Sequence, residues 1–177
     1  MSKARTAITS RRRTQALLAL TAAGALTCAT PWISSATAAG DGGLPAFTAH
    51  IAGHESGIVV LSTITATGSG TYLGAVTARG SITVTGPDVR TCLGGFANTN
   101  VETLTTSQGD SLTITSTDVG CPGTPLGQFN GTGHWQVTGG TGRFQAAYGE
   151  GSSVGGADFL TGVFQMTLNG TLHVPGA

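Results

Sequence analysis

Two histidines near the start of the chain have the spacing of a metal-ligand pair. His50 and His54 stand four positions apart and are followed by Glu55. On a helix this spacing would place both imidazoles on one face, as a zinc site needs, but Gly53 and Gly57 oppose a helix. On a strand the two rings would lie about 13 Å apart, too far for one metal ion. The sequence therefore predicts structural or surface histidines and no metal site.

Ser111 is a candidate nucleophile because it lies in Gly109-Asp-Ser-Leu112. This block is similar to the nucleophile block of a serine esterase family, whose serine leads into a helix and depends on a C-terminal Asp-x-x-His. Here the block falls in a predicted β-hairpin, and the position three residues before His173 is Gly170. Without a base to activate its hydroxyl, Ser111 is predicted to be an ordinary hairpin residue.

The remaining charged candidates are Arg79 and the carboxylates Glu102 and Glu150. Glu102 lies between Val101 and Leu104, which fall on opposite faces of a strand, so the pattern leaves its direction open. An inward Glu102 or Arg79 would be a buried charge with a perturbed pKa, and hence a functional candidate. The ordinary solvated position is the favoured prediction for both.

The elements that position these residues are predicted to be strands. Threonine favours strands, and glycine, with 29 occurrences, interrupts helices. Turn signals at short intervals favour a sandwich or barrel. The predicted strands are 46–52, 57–66, 70–78, 80–86, 96–106, 111–117, 128–138, 148–155 and 158–173, with 70–86 open to being one strand bent at Gly80.

The most informative stretch is 130–151. His134 and Trp135 alternate along a predicted strand, so only one of them can face the interior, and His134 is favoured as the surface residue. Gly139, Gly140 and Gly142 then predict a tight reversal with at least one positive φ.

The order of strand, glycine turn, Phe144, small residues and strand resembles the Gly-Gly-Thr-Gly-x-Phe segment of the allene oxide cyclase and dirigent barrel group. The secreted bacterial branch is the most similar. The resemblance is densest over 128–172, where Phe-x-Met-Thr-Leu-Asn-Gly-Thr-Leu forms the last strand, and fainter at 70–74 and 108–112. It implies an all-β fold, a single eight-stranded antiparallel barrel, whose interior in the enzymes holds an apolar ligand.

The first 38 residues are predicted to be a cleaved signal peptide, which leaves 39–177 as the barrel domain. Arg11-Arg-Arg13 precede an apolar run at 16–29, and Ala36-Thr-Ala38 supplies a small-x-small cleavage site. Export by the general secretory or the twin-arginine route stays open. The protein is therefore expected to be secreted.

Removal of this leader sets the charge and the cysteine count. Three arginines remain against eight carboxylates, a net charge of −5, and no basic cluster is left to bind nucleic acid or an anionic membrane. Cys28 leaves with the leader. Cys92 and Cys121 are then the only cysteines in an exported chain, which predicts that they form a disulfide.

Two functional classes follow from this sequence. One, implied by the resemblance to allene oxide cyclases and dirigent proteins, is a barrel that binds a small apolar or aromatic ligand and, if it is an enzyme, acts as an isomerase or cyclase. The other is a non-catalytic extracellular module whose barrel is filled by its own side chains. No catalytic residue or cofactor is predicted, self-association stays open, and the expected ligand-binding residues are aromatic: Tyr72, Trp135, Phe144, Tyr148, Phe159 and Phe164.

Overall fold

The computed structural model describes residues 44–58 and 61–176, and the leader predicted at 1–38 lies outside them. The described residues form eight strands and one short 3-10 turn. The strands are β1 (Ala46–Ile58), β2 (Leu61–Gly70), β3 (Gly74–Pro87), β4 (Phe96–Thr106), β5 (Ser111–Pro122), β6 (Gln128–Gly140), β7 (Tyr148–Asp158) and β8 (Val163–His173).

Each strand pairs with the next in antiparallel orientation, and β8 pairs with β1, so the sheet closes. The predicted eight-stranded antiparallel barrel is confirmed. Closure leaves no unpaired sheet edge among these strands. No helix within the described ranges is long and apolar enough to cross a membrane.

Several predicted strand boundaries are wrong, including that of 57–66, because residues 57 and 58 belong to β1 and β2 begins at Leu61. The first strand does not stop at residue 52, because β1 continues through Gly53 and is hydrogen-bonded to β2 and β8 on both sides. The two predicted strands over 70–86 are one strand, β3, and its irregularity lies between Val84 and Gly86 rather than at Gly80. The last strand begins at Val163, after a turn over 159–162.

The two ends of the barrel differ in what fills them. We define the closed half as the end that carries the connections at 71–73, 107–110 and 141–147, and the open half as the opposite end. In the closed half Phe47 and Trp135 meet edge to face with ring centroids 5.2 Å apart, and Trp135 Nε1 donates to the Asn169 carbonyl oxygen at 3.2 Å. Aliphatic side chains complete this core, among them Leu104, Leu112, Leu168 and Leu172.

The glycine turn closes this end. Gly142 has a φ of 58°, which confirms the predicted positive φ, and it begins the 3-10 turn that brings Phe144 into the core as a completely buried plug. Gly139 follows a register shift in the β5–β6 pairing. A Cβ at Gly140 would overlap the Phe144 carbonyl oxygen. The turn therefore depends on two of its glycines for different reasons, a positive φ and a close approach.

The predicted disulfide is confirmed and lies at the open half. Cys92, in the connection between β3 and β4, is joined to Cys121 near the end of β5, with the two Cα atoms 5.9 Å apart. A closed loop of this length stabilises the fold by about 3–4 kcal/mol in the chain-entropy model. The disulfide therefore ties one connection of the open half to the barrel wall.

Candidate functional site

The open half of the barrel contains a cavity of about 90 Å³ that reaches solvent. Its wall includes a row of three glycines paired in register across β5, β6 and β7, namely Gly120, Gly131 and Gly155. All three lie on the inward positions of their strands and line the cavity. A Cβ added at Gly131 would meet nothing nearer than the Val119 carbonyl oxygen, at 3.8 Å. A Cβ at Gly120 would instead meet the Phe96 ring, and one at Gly155 would overlap the Gln165 carbonyl oxygen, so it is Gly131 whose missing side chain leaves space in the cavity.

Three phenylalanines line the mouth of this cavity. The ring of Phe129 lies 5.0 Å from that of Phe96 and 4.7 Å from that of Phe159, measured between centroids. The connections around the mouth also expose large apolar side chains: Val89, Leu93, Leu126 and Leu160. An apolar molecule would therefore enter past apolar surface and contact aromatic rings.

A hydrogen-bonded carboxylate stands at the inner end of the cavity. Asp118 Oδ2 accepts from Asn100 Nδ2 at 2.7 Å and from Ser116 Oγ at 2.6 Å. Its other oxygen, Oδ1, accepts from Ser153 Oγ. Asn100 Nδ2 also donates to Ser116 Oγ at 3.2 Å. These donors satisfy a carboxylate that is 7 % exposed, as a buried charge requires.

A glycine makes this network possible. On β6, Gly133 is the register partner of both Asp118 and Ser153. A Cβ at Gly133 would overlap Asp118 Oδ1 and the Thr117 carbonyl oxygen. The Asp118 carboxylate therefore lies over the bare backbone of β6 to reach Ser153 on β7.

Glu102 points into the barrel, so the favoured prediction of a solvated side chain is wrong for this residue. Leu104 belongs to the core, and alternation then turns Glu102 inward and leaves Val101 41 % exposed. Glu102 itself is 2 % exposed. Burial, and secondly the negative charge of Asp118, raise the pKa of Glu102 to about 8. This carboxyl group is therefore mainly protonated at neutral pH.

Three buried side-chain atoms of the described residues have no hydrogen-bond partner, and all belong to residues that line this cavity. They are Glu55 Oε2, Asn100 Oδ1 and Glu102 Oε2. Native proteins rarely leave such atoms unpaired, and the exceptions call for an explanation. Either solvent or a bound molecule would supply the missing partners.

The structure brings together two of the six aromatic residues expected to bind a ligand. Phe159 and Phe164 line the cavity. Trp135 and Phe144 lie in the packed core of the closed half. Tyr72 is 37 % exposed in the connection between β2 and β3, and Tyr148 is 54 % exposed and lies against His173, with ring centroids 4.8 Å apart.

The other sequence candidates lie outside the barrel interior. Ser111 Oγ hydrogen-bonds to Thr141 Oγ1 at 2.8 Å in the closed-half connections. His134 is exposed, as predicted, and Trp135 takes the inward position. Arg79, His50, His54 and Glu150 are exposed as well. In the part of the chain that the structure describes, no three His, Cys, Asp or Glu side chains come close enough to hold a metal ion.

Sequence reasoning missed the polar residues of the cavity, although a signal for them was present. Leu112 and Ile114 share one strand face with Ser116 and Asp118, which places polar side chains on a face that begins apolar. The predicted β-hairpin that contains the block at 109–112 also fixes the pairing of β4 with β5. That register sets Asn100 beside Ser116.

Comparisons of the chain with protein-family models, with curated proteins and with solved structures found no significant match. The family resemblance noted in the sequence therefore stays a prediction, and the cavity must be interpreted from its own residues.

Proposed function

We propose that this chain is a secreted barrel that binds a small apolar or aromatic molecule in the open half of its interior. The observation that carries the proposal is the cavity itself, which combines an aromatic mouth, a glycine row and unpaired polar atoms. Ligand sites are typically apolar hollows with a few polar groups that fix orientation. This cavity has that composition.

The size of the cavity limits the ligand. An engineered apolar cavity of about 150 Å³ in another protein holds benzene. At about 90 Å³, the enclosed space here is smaller than that cavity. A larger molecule would extend through the mouth, where Phe96, Phe129 and Phe159 could contact it.

Catalysis by this site would depend on Glu102. A group whose pKa is about 8 can gain or lose a proton near neutral pH, which is the property of a general acid or base. The resemblance to allene oxide cyclases and dirigent proteins suggests the reaction class, in which a bound reactive molecule is steered through cyclisation, isomerisation or coupling. Glu102 would exchange the proton, and the cavity wall would hold the ligand in a productive shape.

The second functional class, a barrel filled by its own side chains, describes only the closed half. There the core residues are packed and mostly less than 5 % exposed. The open half has a solvent-connected cavity, and this difference favours the ligand-binding proposal over a purely structural module.

A thermal-shift screen of aromatic, terpenoid and fatty-acid-derived compounds tests the proposal. A ligand at a hundredfold excess over its Kd would stabilise the fold by about 2.7 kcal/mol, a shift of several degrees in Tm. The matched variant is Gly131→Leu, which fills the cavity from a position with free space for a Cβ. We expect at least one compound to shift the wild type and not the variant. A screen without hits, or hits that Gly131→Leu leaves unchanged, would contradict binding in this cavity.

A further inference from the structure

The charge of the cavity is one-sided. Its lining includes the carboxyl groups of Glu55, Glu102 and Asp118, and it includes no lysine, arginine or histidine. These three acids come from β1, β4 and β5, and no titratable side chain from the other strands lines the cavity. An anionic ligand would therefore meet like charge without a compensating cation, which is strongly unfavourable in a buried site.

The unpaired atoms of the cavity are also one-sided, because all of them can accept a hydrogen bond. Asn100 turns its nitrogen toward Asp118 and Ser116, which leaves its carbonyl oxygen, Oδ1, without a partner. Oε2 of Glu102, on a side chain only 2 % exposed, and Oε2 of Glu55 are carboxyl oxygens without a hydrogen-bond partner, and both act as acceptors when their groups are ionised. The missing partner is therefore a group rich in N–H or O–H donors.

A primary ammonium meets both requirements. It brings three donors and a positive charge. A bare metal ion fits less well, since no three His, Cys, Asp or Glu side chains of the described residues form a group that could hold one. The apolar part of such a molecule would lie among the phenylalanine rings of the mouth, whose faces also attract cations.

We propose that the ligand of this cavity is a small organic amine, a primary ammonium on an apolar or aromatic ring, whose nitrogen donates to the unpaired acceptors of the open half. This inference rests on the proposed ligand-binding function and narrows its ligand class. It also gives Glu102 and Asp118 a role in recognition that does not depend on catalysis.

Amine binding has a defined pH signature. A cation beside Glu102 favours the ionised carboxylate, so binding below pH 8 releases a proton from this residue. Affinity should rise with pH toward about 8, by at most about tenfold per pH unit for a single proton. The facing acids are Asp118 on β5 and Glu55 on β1, and no basic side chain in the cavity opposes this direction.

Calorimetric titration of the mature protein with three probes of similar size provides the test. The probes are 2-phenylethylamine, 2-phenylethanol and phenylacetate, which share a benzyl group and differ in charge. We expect the amine to bind at least tenfold more tightly than the alcohol, and phenylacetate not to bind. Titrations in two buffers of different ionisation enthalpy should show proton release with the amine alone.

Variants separate recognition from general effects. Glu102→Gln should weaken amine binding and remove its pH dependence, and binding of the alcohol should change little. Glu150→Gln, on an exposed position of β7, is the control that should leave both unchanged. The wild-type comparison needs no variant, so the test survives if Glu102→Gln does not fold.

The two proposals fail in different ways. Suppose that the alcohol, or a neutral compound from the broader screen, binds the wild type as tightly as the amine does, and that Gly131→Leu abolishes this binding. The ligand site is then supported and the proposed preference for amines is wrong. If neither the probes nor the screen produces binding, both proposals are wrong, and solvent alone satisfies the unpaired acceptors.

Discussion

At the scale of single residues, Glu102 is the least conventional feature of this barrel. A buried carboxyl group without a cationic partner stays neutral, because ionisation in a low-dielectric interior costs more than holding the proton. Its pKa of about 8, against an ordinary value of 4.5, links its protonation to the stability of the fold. The folded protein retains this proton over a pH range in which the unfolded chain has lost it.

This linkage predicts a loss of stability as the pH rises. Between about pH 4.5 and 8 the unfolded state binds fewer protons at Glu102 than the folded state, so the contribution of this group to the free energy of unfolding falls with pH. Glu102→Gln removes that slope, because an amide does not titrate. Denaturant unfolding at a series of pH values measures this effect. The free energy of unfolding of the variant, relative to that of the wild type, should rise by about 1.4 kcal/mol for each pH unit in this window. Parallel curves for the two proteins would contradict the raised pKa.

Gly131 and Gly133, on the same face of β6, allow a matched test of the hydrogen bonds of Asp118. In Gly133→Ala the new Cβ would overlap Asp118 Oδ1 and the backbone of β5, so we expect a loss of about 2–4 kcal/mol from strain and a broken buried hydrogen bond. In Gly131→Ala the Cβ meets only open space, and the change should be neutral or stabilising by up to about 1 kcal/mol. Chemical denaturation of both variants measures the difference, and equal effects would show that Asp118 does not depend on Gly133.

At the scale of elements, most strands could be predicted from the sequence, but which of their residues point into the barrel could not. Alternation of threonine with apolar residues and the turn signals predicted most strands. The sequence does not predict which face of β4 points into the barrel, because Val101 and Leu104 are both apolar and lie on opposite faces of the strand. Packing of Leu104 into the core decided it, at the cost of an exposed valine and a buried acid. A single strand contains no information on that choice of face, since it is resolved by contacts with other strands.

The aromatic residues show the same limit. Sequence alone suggested that aromatic side chains near the glycine turn would line a cavity. The turn instead closes the filled end, so Phe144 and Trp135 pack into the core, and the cavity lies at the other end of the same strands. The position of a residue along its strand determines in which half of the barrel it lies. The sequence does not indicate which half is filled by side chains.

The glycine turn yields a prediction for its three glycines, at positions 139, 140 and 142. Gly142→Ala should lose about 1–2 kcal/mol, because a Cβ is unfavourable at a φ of 58°. Gly140→Ala should also destabilise, by about 1–3 kcal/mol, because its Cβ would overlap the Phe144 carbonyl oxygen. Gly139→Ala is the control, since its nearest neighbour would be Thr113 Cβ at 3.7 Å. Thermal melts rank the three variants, and a Gly139 variant as damaged as the others would contradict this account of the turn.

At the scale of the whole barrel, one set of eight strands serves two different tasks. The closed half buries large side chains against one another, and burial of this apolar surface stabilises the closed sheet. The open half combines apolar side chains with three paired glycines and with the polar groups of Asn100, Glu102 and Asp118 around a cavity. Stability is therefore concentrated at one end and the candidate site at the other, as expected where binding elements are drawn from the less stable part of a fold.

This division predicts uneven protection of the backbone amides from hydrogen exchange. Amides beside the closed-half core, around Leu104, Leu112 and Leu168, should exchange only through global unfolding, because opening them exposes packed apolar surface. The open-half end of β7, from Gly155 to Asp158, has two glycines, faces the cavity and lacks the disulfide that ties β5 to its neighbouring connection. Its amides should exchange through local opening at a lower free energy, which native-state exchange in dilute denaturant measures directly.

A ligand bound in the cavity should raise the protection of these β7 amides, and exchange in the closed half should still be governed by global stability. Equal protection at both ends of the ligand-free protein would show that the barrel unfolds as one unit despite its uneven packing.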